Sequence, residues 1–248
     1  MSAIIEIQKL TKVFGGVTAV SGLDCTIHRG ELLGIIGPNG SGKTTLVNLM
    51  TGFVRPTSGK ILYNGQNISR MPAHRIIQLG IARTFQMVRP FYQLPAYKNM
   101  IIPLYSPRVK KMIGGRYGDR DAVALDLLEE VGFERDAYVA YKPAGALPQG
   151  YLKRLELAKA IALQPELIIL DELFSGLSLA EVASIVPIIE KLRQKGKTII
   201  MIEHRLKELF RIADRVMVLN FGRNIAIGTA KDVMASDDVK NAYLGSER

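Results

Sequence analysis

The apolar positions of this chain gather into short blocks of strand length. They are "IIEIQKL" (4–10), "ELLGII" (31–36), "KILY" (60–63), "LIIL" (167–170), "TIIMI" (198–202) and "RVMVL" (215–219). "LIIL" and "TIIMI" are continuous rather than alternating, the pattern of strands covered on both faces, and a longer helical pattern lies between them. That combination predicts a parallel sheet with crossover helices. The turn signals "FGG" and "NG" join the early strands and predict an antiparallel sheet beside the parallel one. The chain changes character over 89–164, where helical periods take over. "AVALDLLEEVGF" (122–133) sets Leu127, Leu128 and Val131 on one helical face and ends at Gly132. "YLKRLELAKAIAL" (151–163) does the same with Leu152, Leu155 and Ile161, and Pro165 follows. The expected organisation is an α/β core built from 1–88 and 165–248, interrupted by a helical subdomain over 89–164. No internal repeat or low-complexity tract is visible.

Composition narrows this picture. Of 248 residues, 48% are apolar, enough for one large core. The single cysteine, Cys25, excludes an intrachain disulfide framework and fits a reducing compartment. The start "MSAIIEIQKL" carries charges within its apolar pattern and reads as no signal peptide. No stretch approaches the roughly 20 apolar residues of a membrane span, so work at a membrane would require a partner that carries the chain there. The net charge of +10 is scattered, apart from "RVKKMIGGRYGDR" (108–120), which reads as a solvated glycine-containing loop and alternatively as a polyanion site.

The strongest chemical pattern is "GPNGSGKTT" (37–45), which follows "ELLGII" and precedes "LVNLMTG". It matches G-x-x-x-x-G-K-[ST] in the strand–loop–helix setting that the phosphate-binding loop requires. Gly37, Gly40 and Gly42 let the backbone curl across Pro38 and Asn39, so that N–H groups face phosphate oxygens. The helix beginning near Gly42 adds its positive end. Lys43 is expected to reach the β- and γ-phosphates of ATP, and the Thr44 hydroxyl to ligate Mg²⁺, with Ser41 and Thr45 in support. "LIILDE" closes a buried strand with Asp171, positioned to hold the hydrated Mg²⁺, and Glu172, positioned as general base for an attacking water. "TIIMIEH" closes another strand at Glu203 and His204. His204 could be structural, or it could contact the γ-phosphate and orient the water.

Taken in order, Phe14 in "TKVFGG", the phosphate loop, Gln86 in "ARTFQM", the helical stretch, "LIILDE" and His204 resemble the ATP-binding subunit of an ABC transporter over the whole chain. The resemblance implies one nucleotide-binding domain over 1–248, with a P-loop NTPase core, an antiparallel β flank and the inserted helical subdomain. It implies that Phe14 stacks on adenine. It makes Gln86 the lid-loop residue that senses metal and water, ligates Mg²⁺ and touches the membrane partner. "KVFGGVTAVSGLD", "IARTFQ", "RLELAKAIALQPELIILDE", "IEHRLKELF" and "AYLGSER" resemble the branched-chain amino acid uptake subunits in particular.

In this family the slot at 147–151 holds a Leu-Ser-Gly-Gly-Gln-like signature that caps the γ-phosphate bound by the opposite subunit. Here it is Leu147, Pro148, Gln149, Gly150 and Tyr151, so the serine hydroxyl is replaced by a proline with no donor. Proline is comfortable at a helix start, which leaves the dipole and the Gln149 and Gly150 N–H groups as expected contacts. Leu173 replaces the usual proline after "DE", and Ser178 replaces an Asp or Asn. Intact cis residues beside altered trans residues imply a heterodimer with one weak site, although the variant signature could also work normally. The implied partners are transmembrane permease subunits, a second ABC ATPase subunit and, indirectly, a solute-binding protein, with no nucleic acid expected. The implied location is the cytoplasmic face of the inner or plasma membrane. Two other readings stay open: a non-hydrolysing ATP-dependent interaction subunit, and a soluble ABC ATPase acting on nucleic acid.

Overall fold

A computed structural model describes residues 2–112, 119–135 and 137–244. Two long strands, β1 (Ala3–Phe14) and β2 (Val17–His28), open the chain. Phe14 pairs with Val17 across Gly15 and Gly16, both at positive φ, the geometry of a two-residue hairpin turn that follows the strand twist. β3 (Leu32–Ile36) runs through the glycine-rich loop into α1 (Lys43–Met50). β4 (Ser58–Tyr63) and β5 (Gln66–Asn67) make a second hairpin around Asn64 and Gly65. α2 (Ala73–Leu79) leads into β6 (Ile81–Arg83). Four helices follow: α3 (Ile101–Leu104), α4 (Pro107–Met112), α5 (Arg120–Glu130) and α6 (Gln149–Ala162). The chain then alternates through β7 (Leu167–Asp171), α7 (Leu179–Gln194), β8 (Thr198–Ile202), α8 (Leu206–Ile212) and β9 (Arg215–Asn220). β10 (Arg223–Gly228), α9 (Ala230–Ala235) and α10 (Asp237–Leu244) end it.

The strands form two sheets. β2-β1-β4-β5 is antiparallel, and β10-β9-β3-β8-β7-β6 is parallel except for β10 at its edge. The two turn signals and the paired "LIIL" and "TIIMI" strands therefore fall where the sequence pattern puts them. β2, β6 and β10 lie outside the apolar blocks, because they are edge or polar-alternating strands.

Side-chain period explains the two cores. Along β3, Leu33 and Ile35 face one apolar cluster while Leu32 and Ile36 face the other. β7 and β8 divide in the same way, with Ile169 and Ile200 on the first side and Ile168 and Met201 on the second. The first cluster wraps α1 between the two sheets, and the second packs the parallel sheet against α5, α6 and α7. With both faces covered, these strands lose the alternation of a half-exposed sheet.

In α5, Leu128 and the following Val131 are buried and Leu127 is half-buried, and Gly132 turns the chain at φ 87°. α6 departs from the expected single face. Leu155 is buried, but Leu152 and Ile161 are only half-buried, while Lys153 and Glu156 lie inside. A helix packed on several sides makes charged positions internal, and periodicity then misreads them as the solvent face. In the basic stretch, Arg108 ties the carbonyls of Leu163, Gln78 and Gln164, and Arg120 lies 3.8 Å over the Tyr105 ring. These two arginines act structurally; positions 113–118 lie outside the described residues, as do 245–248. No helix among the described residues is long and apolar enough to cross a membrane.

Candidate functional site

The glycine-rich loop is shaped by close backbone approach. A Cβ on Gly37 would stand 2.1 Å from the Leu219 carbonyl oxygen, and one on Gly42 would stand 2.4 Å from that of Ala19. Both residues have positive φ, so only glycine lets β9 and β2 press against the loop. The β9–β10 turn locks the arrangement, since Gly222 donates its N–H to the Ser41 carbonyl at 2.9 Å. Lys43 is buried, and its ammonium donates to the Gly37 and Pro38 carbonyls at 2.7 and 3.0 Å. Burial pulls the Lys43 pKa down, with the charges of Glu172 and Asp171 opposing. Asn39, Gly40 and Thr44 are exposed along the loop and Thr45 is half-buried. The Ser41 hydroxyl is buried with no protein partner, the kind of orphan that a phosphate oxygen satisfies. Phe14 is exposed at the tip of the β1–β2 hairpin, and its cross-strand partner Val17 lies two residues before Ala19, which abuts Gly42.

Strand register assembles the hydrolytic candidates. β7 and β8 pair so that Asp171 stands opposite Ile202, and β3 pairs Ile35 with that same Ile202. The residues that follow each strand emerge at one level, at the carboxyl edge where α/β sheets bind ligands. Glu172 adopts φ +49° and donates its N–H to Ile202 at 2.9 Å. Its carboxylate bridges two neighbours: Oε2 accepts from the Gln86 amide at 2.6 Å, and Oε1 lies 3.1 Å from His204 Nε2. Thus Gln86, Glu172 and His204, far apart in sequence, share one carboxylate.

Asp171 is 4% exposed and its Oδ2 accepts from Arg83 at 2.7 Å. Arg83 also donates to Asn48 on α1 at 2.7 Å and lies beside the rings of Phe53 and Phe85. A groove of about 850 Å³ opens there, and Thr44, Gln86 and Asp171 all line it. No cluster of three metal-ligating His, Cys, Asp or Glu side chains occurs among the described residues. A hydroxyl, an amide and one carboxylate next to a phosphate loop nevertheless suit Mg²⁺, which keeps its waters and takes phosphate oxygens.

The altered signature starts α6. Pro148 is its N-cap with no side-chain hydrogen bond, and Pro148 and Gln149 are exposed. Leu147 is buried, and Tyr151 packs edge-on against Phe133 at 5.0 Å, in keeping with the helical core. Gly150 is buried against the carboxylate of Glu181. A Cβ at Gly150 would come within 2.6 Å of that carboxylate. Leu173 is buried in the second core, and Ser178 caps α7 through a reciprocal capping box with Glu181.

Arg83, Lys153 and Gly222 carry no mark in the sequence, because their roles exist only through contacts between distant segments. Glu203 stands at the end of a strand motif with no role legible from the sequence. Glu203 is buried, and its carboxylate accepts from the Phe174 N–H at 2.8 Å, fixing the turn beyond Glu172.

The ABC transporter family model matches residues 20–175. The chain is 36% identical to the high-affinity branched-chain amino acid transport ATP-binding protein BraF of Pseudomonas aeruginosa, with 98% of each covered. It is 34% identical to the corresponding protein LivG of Escherichia coli, again with 98% of each covered. The solved ADP conformation of an ATP-binding cassette of an ABC transporter superposes with a TM-score of 0.84 at 28% identity, covering 99% of this chain and 100% of that one.

Burial pushes the Glu203 carboxyl up to about 7, the Glu172 charge adds to the rise, and the Phe174 N–H and Lys153 oppose it. Between the ordinary carboxylate range and pH 7 the folded chain therefore holds a proton that the unfolded chain has lost. That contribution to stability is full below the unfolded pKa and is lost as pH rises through 7. Glu203→Gln should remove it, flattening the pH dependence of urea unfolding by about 3 kcal/mol across that window. Parallel parent and variant profiles would contradict the assignment.

Proposed function

Because the chain belongs to the ATP-binding subunits of ABC transporters, we propose that this ATPase energises uptake of branched-chain or related amino acids through transmembrane permease partners. The observation that carries the mechanism is the Glu172 carboxylate held between Gln86 and His204. ATP lies with its phosphates against the N–H groups of residues 37–45 and the Lys43 ammonium, and Phe14 offers a ring face to adenine. Thr44, Asp171 and Gln86 are the residues that would hold Mg²⁺, whose charge would offset that of the β- and γ-phosphates. Glu172 takes a proton from an attacking water while the water oxygen bonds to the γ-phosphorus. The bond to the β–γ bridging oxygen breaks, leaving ADP and phosphate. His204 and Gln86 orient the base and the water.

The groove beside Arg83 supports the permease reading. Exposed Phe53, Phe85, Met87 and Ile102 line it, a large apolar surface to leave unpartnered. Docking there would hold the chain peripherally at the cytoplasmic face, with a solute-binding protein acting on the far side. ATP binding closes two ABC subunits across composite sites, and hydrolysis reopens them.

The signature supports an asymmetric pair. Pro148 supplies no donor, and the Glu181 carboxylate crowds Gly150, where a Cβ would come within 2.6 Å of it. ATP on this chain's own loop, capped by a partner with an ordinary signature, hydrolyses; the reciprocal site turns over slowly.

Glu172→Gln should lower ATPase by about 10²–10⁴-fold and retain ATP in a closed dimer, as seen in steady-state rates and size-exclusion profiles. Equal hydrolysis by mutant and parent removes Glu172 as the base. In a complex with its partner subunit, Pro148→Ser should raise turnover at the reciprocal site about tenfold, short of the roughly 10²–10³ of a full transition-state donor, and total ATPase up to about twofold, because the ordinary site already hydrolyses. An unchanged rate would mean that the variant signature already works at full strength.

A further inference from the structure

α6 begins at the altered signature and buries a lysine one turn later. Lys153 is 1% exposed. Its ammonium donates to the main-chain carbonyl of Gln86 at 2.9 Å and to that of Glu172 at 3.1 Å. These two residues also meet through their side chains at 2.6 Å. One cation on α6 therefore grips the backbones of the lid-loop glutamine and the hydrolytic carboxylate together.

Burying an ammonium is unfavourable unless charge and hydrogen bonds compensate. Burial lowers the Lys153 pKa, and Glu203, Glu172, Asp171 and Glu156 act against that fall. A methionine of similar length would fill the space without the desolvation cost. What lysine adds is the pair of donated bonds. Lys153 stands four residues after Gln149, on the same face of one helix. The helix is hydrogen-bonded throughout, so a shift at Pro148–Gly150 moves the Lys153 ammonium with it. Glu172 sits at φ +49°, an unfavourable conformation for a residue with a side chain, so its orientation depends on such outside restraint.

We propose that Lys153 is a positioning residue that links the signature end of α6 to the Gln86–Glu172 pair. Engagement of this chain's signature at one nucleotide site is thereby transmitted to the hydrolytic carboxylate of the other. The proposal rests on the reading of Glu172 as base and of 147–151 as the trans signature.

The test uses the full chain and four variants at a pH about one unit above 7, where Glu203 is ionised: Lys153→Met, Lys153→Arg, the charge-balanced pair Lys153→Met with Glu203→Gln, and Glu172→Gln. MgATP affinity is read by displacement of a fluorescent ATP analogue, ATPase by kcat and KM, and folding by thermal melting. Lys153→Met should bind MgATP within about twofold of the parent and lose about tenfold or more in kcat, the size expected when a catalytic group is misplaced. The paired variant should recover the melting temperature without recovering kcat, whereas Lys153→Arg should recover part of it. Parental kcat in the paired variant would show that the lysine only balances charge and would overturn the proposal; a loss confined to KM would do the same. If Glu172→Gln hydrolyses like the parent, the premise falls and the inference with it. If Glu172→Gln fails while Lys153→Met matches the parent, only the tether is wrong.

Discussion

Parallel pairing holds Ile35, Ile202 and Asp171 level with one another, and every chemical feature of the sheet edge follows from that alignment. β3 delivers Gly37 to the phosphate loop, β7 delivers Asp171 and Glu172, and β8 delivers Glu203 and His204. A slip of one residue would turn each of these side chains to the opposite face and break both apolar clusters at once. The cores enforce the register, since Leu33, Ile169 and Ile200 belong to one cluster and Leu32, Ile168 and Met201 to the other. The geometry of the site is in this sense a by-product of packing.

On that frame the site concentrates charge where water is scarce. Lys43, Lys153, Asp171 and Glu203 are all nearly inaccessible. Each is paired or hydrogen-bonded: Asp171 by Arg83, Glu203 by the Phe174 N–H, and the two lysines by carbonyl pairs. Such groups stabilise a fold weakly, and their value lies in fixing directions. The Glu172 carboxylate illustrates the point, with an amide on one oxygen and an imidazole on the other. A carboxylate so restrained has little freedom to reorient.

The sequence announced the phosphate loop because its demands are local. Glycines at 37 and 42 answer to carbonyls of Leu219 and Ala19, but the need appears in the loop's own residues. "LIIL" and "TIIMI" were legible as buried strands because nearly every side chain in them is covered. Asp171, Glu172 and His204 gained meaning from standing at strand ends. Arg83 and Lys153 carried no such mark. Their partners lie 88 and up to 67 positions away, and a charged residue in a helix or short strand ordinarily signals solvent. The approach of Glu181 to Gly150 is hidden for the same reason, since capping Ser178 fully accounts for that glutamate at the level of sequence.

The claim on which the account stands is that the loop at 37–45 grips a nucleoside triphosphate through its N–H groups and Lys43. Calorimetric titration of the full chain with ATP, with and without Mg²⁺, measures this most directly. The expected result is one saturable ATP per chain, tighter binding with Mg²⁺, and about tenfold or greater weakening in Lys43→Met, the worth of one charge-assisted contact. A well-folded chain that takes up no ATP, or a Lys43→Met variant that binds it equally well, would contradict the claim.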